Sequence, residues 1–172
     1  MPKPGKYHPI SHVGIDIGRV IVGEDPDDYT KSLLSKNYLE APEVKGAITA
    51  IGELCMSPFW SQVHLISKCS ELVEKRTMEW LYKKRFFERT TLPVQNVHFC
   101  RTHEEKAIWA NRYHLSHFVD DQSKNLHILP EITVNRILFA PTKKPKDKDL
   151  EIMRVAQNWT EAKWLLEHPP RG

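Results

Sequence analysis

Short apolar runs alternate along the chain with longer stretches in which apolar residues return every three or four positions. The first pattern reads as strand and the second as helix. Strands are predicted over residues 12–17, 62–66, 97–100, 116–119, 135–139 and 152–156. Several are continuous apolar runs bounded by polar residues, the form taken by strands covered on both faces. A helix is predicted over residues 42–55, which opens on Pro42 with acids early. A second covers residues 70–87, where Val73, Thr77, Trp80, Leu81 and Lys84 recur at helical spacing. A third, over residues 102–113, starts with a capping box from Thr102 to Glu105. Residues 123–129 follow the fourth strand, and residues 160–168 close the pattern after a threonine cap. This order predicts a three-layer, Rossmann-like α/β fold with a mainly parallel central sheet, read as one domain over residues 1–172. Residues 23–37 are acidic and turn-rich, and are expected to form a loop or small hairpin over the strand ends. Residues 141–149 (PTKKPKDKD) read as a solvated loop.

Composition narrows the classes of protein. Hydrophobic residues make up 40% of the 172 and charged residues 27%, which excludes disorder over most of the chain. No apolar run approaches ~18 residues, so no transmembrane helix is expected. The opening MPKPGKYHPISHVG lacks a secretory apolar stretch, which makes the cytoplasm the expected location. Cys55, Cys69 and Cys100 fit reduced core thiols better than a disulfide frame. The net charge is +3, but its basic stretches are interleaved with Glu79, Glu88, Asp147 and Asp149. They form no coherent basic face, so a nucleic-acid partner is not expected. The nine histidines fall in no zinc-ligand spacing.

The informative feature is how three predicted strands end. The first delivers Asp16 and then Gly18, the second delivers Ser67, and the fourth delivers Asp120 and Asp121. In an open α/β sheet, ligands bind in the crevice outside the carboxyl ends of the strands. Three carboxylates gathered there repel one another unless a cation sits among them, and hard oxygen donors suit Mg²⁺. Singly, each of these residues reads as a cap or turn residue, and Lys106 as a solvated helix position. Their set and order carry the argument.

In that order the residues resemble the haloacid dehalogenase (HAD) superfamily. GIDIGRVIV, with Asp16 and Val20, is similar to its first motif, and VHLISK, with Ser67, to its second. THEEKAIWA supplies Lys106 at the start of a helix as the third, and HFVDD supplies Asp120 and Asp121 as the fourth. The stretch KAIWANRYHLSHFVDDQSKNL is similar to small-cap members, and the resemblance spans roughly Val13 to Leu126. It implies a magnesium-dependent phosphatase in which Asp16 forms an aspartyl-phosphate and Ser67 binds a phosphoryl oxygen. Lys106 would neutralise charge on the nucleophile and the transferring group, with Lys68 and Arg19 binding substrate. Asp16, Asp120, Asp121 and the Gly18 carbonyl would hold Mg²⁺.

The chain departs from the superfamily's pattern at Gly18, where phosphatases usually carry a second Asp as general acid and base. Its loss predicts a slow enzyme, unless Glu24, Asp25, Asp27 or Asp28 substitutes or the leaving group is a good one. The alternative is a non-catalytic binding or regulatory protein that keeps the metal and phosphate pocket. A dehalogenase would need a helical cap, and the intervals from Asp16 to Ser67 and from Ser67 to Lys106 leave no room for one. A receiver domain would place its acidic pair after the first strand. The site is therefore expected to be open, taking a large phosphorylated substrate or borrowing a lid from a protein partner or second copy.

Overall fold

The computed structural model describes residues 11–24, 30–57 and 60–170. Its frame is one six-stranded, entirely parallel sheet in the order β3-β2-β1-β4-β5-β6. The strands are β1 (Ser11–Ile15), β2 (Trp60–Lys68), β3 (Val97–Cys100), β4 (His117–Asp120), β5 (Asn135–Phe139) and β6 (Arg154–Ala156). The helices are α1 (Ala47–Met56), α2 (Glu71–Lys83), α3 (Phe86–Thr90), α4 (Glu104–Arg112), α5 (Ser123–His127), α6 (Asp147–Leu150) and α7 (Trp159–Glu167).

Alternation along the strands sends successive side chains to opposite faces, so each face builds its own core. Val13 and Ile15 of β1 pack with Ile48 and Leu54 of α1, Trp80 of α2, Phe86 of α3 and Leu166 of α7. Ile66 and Phe118 pack on the other face with Ala110 of α4 and Leu126 of α5. The result is a helix–sheet–helix sandwich with β1 at its centre, where Ile15 stands opposite Leu65 of β2 and Val119 of β4. Gly14 is set by close packing: a Cβ there would lie 2.5 Å from the Phe118 ring. Two buried indoles fix the chain that follows β1. Trp159 Nε1 donates to the Val20 carbonyl at 2.7 Å, and Trp80 Nε1 to that of Ala41 at 2.8 Å.

The boundaries move where local geometry overrides periodicity. Helix α1 starts at Ala47 rather than residue 42, because Gly46, at φ 81°, turns the chain into it. The predicted helix over residues 70–87 divides into α2 and α3 at Arg85, whose φ of 53° is left-handed. Asn158, not Thr160, caps α7 by accepting from the Glu161 N–H at 2.9 Å. The box before α4 is displaced: Thr102 accepts from Glu105 N, but the Glu105 carboxylate reaches the Arg101 N–H. The stretch over residues 141–149 is not loop throughout. It ends in α6, with Asp149 buried and bonded to His127 and the Lys146 N–H. No hairpin forms over residues 30–37, which are turns tied to α2 by Arg76 donating to the Leu33 carbonyl. Among the described residues no helix is long and apolar enough to cross a membrane. The three cysteines are free thiols.

On the α4 face a row of rings crosses three strands. His12 stacks on His64, and His64 on His98 and Tyr113, with Trp109 closing the row over His98. His64 Nε2 meets Gln62 Oε1 at 2.9 Å, so that nitrogen donates and Nδ1 accepts from His98 Nε2 at 3.0 Å. Burial lowers the proton affinity of His12, His64 and His98, taking His64 to about 4, with Arg112 adding to the effect at His98. Burial takes His117 to about 4 as well. Each of these folded-state values lies below that of the unfolded chain. Stability is therefore complete above about pH 6.5 and falls as the pH drops towards 4. Asp16 and Asp121, raised by burial, bind protons in the native state and offset part of that loss. The melting temperature is expected to fall steadily from pH 6.5 to pH 4.5, and a flat profile over that range would contradict the assignment.

Candidate active site

The centre of the sheet places the chemistry. The Asp16 N–H donates to the Val119 carbonyl at 2.9 Å, which carries the β1–β4 pairing one residue further and sets Asp16 beside Asp120. Lys106 enters from the first turn of α4 and is 1% exposed. Its Nζ donates to Asp16 Oδ1 at 2.9 Å and to Asp120 Oδ2 at 2.6 Å. Asp120 is fully buried. Its Oδ1 also accepts from the Gln122 N–H at 2.9 Å, and Asn125 Nδ2 bridges its two oxygens at 2.9 and 3.1 Å. Asp121 pairs with the Arg19 guanidinium at 3.5 Å. Arg19 sits at φ 62°, in the tight turn where its N–H meets the Val22 carbonyl. A left-handed residue with a Cβ costs of order 1 kcal/mol, which the ion pair and turn bonds offset.

The titration of the cluster follows from burial and crowding. Burial pushes the Asp16 carboxyl up to about 7, against the pull of Lys106. Asp121 rises to about 6 through burial and the neighbouring Asp120. Burial opposes the charge on Lys106, but the two carboxylates outweigh it and hold the ammonium above its ordinary value.

Above this cluster lies a cavity of about 430 Å³ bordered by Asp16, Gly18, Arg19, Ser67, Lys68 and Asp121. Leu33, Leu34 and Val73 give it an apolar side, and Glu24 also lines it. Of the eight residues assigned a catalytic, substrate-binding or metal role from the sequence, six thus border one space. Lys106 and Asp120 lie in the buried cluster, joined to Asp16. Asp25, Asp27 and Asp28 lie outside the described residues. Sequence reasoning missed Asn125, whose signal is its position five residues beyond Asp120, where α5 turns back to the strand end. It also missed Leu33 and Leu34, which sit in a polar stretch with no periodicity.

One carboxylate oxygen from each of Asp16, Asp120 and Asp121 lies within 4.8 Å of the other two. Three carboxylates face two cations, Lys106 and Arg19, so the cluster retains negative charge. Asp16 Oδ2 accepts no hydrogen bond among the described residues. A hard divalent cation fits this donor set, which holds no sulfur or imidazole. No protein-family model matches the chain, and no curated protein sequence matches it significantly.

Proposed function

We propose that the protein is a magnesium-dependent phosphatase of the haloacid dehalogenase type, acting through an aspartyl-phosphate on Asp16. The observation that carries the reading is the Asp16–Lys106–Asp120 cluster at the carboxyl ends of two adjacent central strands, beside a cavity that Ser67 and Lys68 also line. Lys106 holds Asp16 by one oxygen and leaves Oδ2 for attack on phosphorus. Its fixed ammonium favours the ionised carboxylate that a nucleophile must be. Asp120, locked by Asn125 and the Gln122 N–H, keeps Lys106 in place. Ser67 is suited to hydrogen-bond a phosphoryl oxygen, and Arg19 and Lys68 to bind the remaining oxyanion charge of the substrate. Asp16, Asp120, Asp121 and the Gly18 carbonyl would hold Mg²⁺. When bound, it would orient the phosphate and lessen repulsion between two anions.

The test is release of phosphate from an activated aryl phosphate. Turnover is expected with Mg²⁺, to cease on chelation, and to fall by at least about 10³-fold in Asp16→Asn. Gly18 favours a second reading, a binding protein that keeps the pocket without turnover. Magnesium binding by calorimetry without phosphate release from any ester, acyl phosphate or phosphoanhydride would decide for that reading.

A further inference from the structure

Gly18 is not required by the backbone. Its φ is not left-handed, and a Cβ built there meets nothing within 4 Å. The residue two places after the nucleophile therefore leaves open space on the cavity wall, where a side chain would fit. The acidic groups and the thiol of the described lining are, apart from Glu24, committed or hard to ionise. Asp16 is engaged as nucleophile, Asp121 is tied to Arg19, and burial pushes the Cys69 thiol up to about 11. Glu24 is the remaining carboxyl, and it is solvent-exposed. Arg19 and Lys68 are cations suited to an anionic leaving group.

From this geometry, and resting on the phosphatase reading, we infer that the substrate is a phosphoryl donor whose leaving group departs as a stable anion, an acyl phosphate or phosphoanhydride, and that phosphorylated Asp16 is long-lived. In the first step an Asp16 oxygen bonds to phosphorus as the bond from phosphorus to the leaving oxygen breaks. The electron pair stays on that oxygen, which leaves as carboxylate or phosphate and takes up no proton. In the second step a water oxygen bonds to phosphorus, Asp16 is released as carboxylate, and the water's proton passes to the phosphate and solvent. The first step needs no general acid with such a donor. The second gains from a general base, and the described lining offers none at Gly18. An acid–base group at such a position is typically worth ~10²–10⁴ in rate, so the phosphoenzyme accumulates.

The test mixes wild-type protein and Mg²⁺ with acetyl phosphate or with glycerol 2-phosphate. Acetyl phosphate is expected to give a burst of about one equivalent per chain, with phosphate mass on the peptide containing Asp16 and none in Asp16→Asn. Its kcat/KM should exceed that of the alkyl ester by at least about 10²-fold. Similar rates for the two donors, or turnover of acetyl phosphate without a burst, would overturn the inference and leave the phosphatase reading standing. Failure of every donor to react, aryl phosphate included, would overturn both.

Discussion

Replacing Lys106 by Met is expected to cost about 3–5 kcal/mol of stability, the usual loss when one partner of a buried ion pair is removed. The methionine matches much of the lysine's volume, so packing changes little. What changes is charge: Asp120 has no exposure to water, and Asp16 keeps only 6%. Both carboxylates would then sit buried without the ammonium that bridges them at 2.6 and 2.9 Å. Equilibrium unfolding in urea measures the effect. The double variant Lys106→Met with Asp120→Asn should recover part of the loss, because it removes one of the stranded charges together with its partner. Added Mg²⁺ should stabilise the single variant in proportion to its binding. A loss below about 1 kcal/mol would mean that the lysine is not the charge on which the cluster depends.

Gly18→Asp is expected to raise kcat/KM for alkyl phosphates by ~10²–10⁴ and to remove the burst with acetyl phosphate. The gain is predicted because the position is sterically and conformationally open to a side chain. A carboxyl there can donate a proton to a leaving alkoxide and then accept one from the attacking water. A folded variant with unchanged alkyl-ester rates would show that proton transfer does not limit the reaction. The same substitution would leave a pure binding protein without turnover.

The central sheet was readable because several of its strands hold continuous apolar runs between polar residues, and β5 runs from Asn135 to Phe139 as its pattern predicts. Asp16, Ser67, Lys106, Asp120 and Asp121 were readable because parallel strands put their polar ends on one side of a sheet. Features that depend on one backbone angle were not. Arg85 sits inside an unbroken amphipathic pattern, and only its left-handed φ separates α2 from α3. Asn125 looked like an ordinary helix residue, since its work lies in the tertiary contact with Asp120. The stacked histidines carried no sequence signal because they come from three strands that register, not sequence spacing, aligns. Asp149 was hidden in a charged run, and its partner His127 lies 22 residues away on α5.

The placement of β1 between β2 and β4 also has a kinetic side. The contacts that assemble this region are far apart in sequence: 90 residues separate Lys106 from Asp16 in the cluster, and 104 separate His12 of β1 from Ser116 beside the start of β4. Contacts of that span close large loops and form slowly. Asp16 therefore does not confront Asp120 and Asp121 while the chain is still collapsing, when their repulsion would oppose compaction. An ion that recognises only the finished crevice stabilises the native state more than the folding barrier. It would lengthen the lifetime of the folded molecule without speeding its formation.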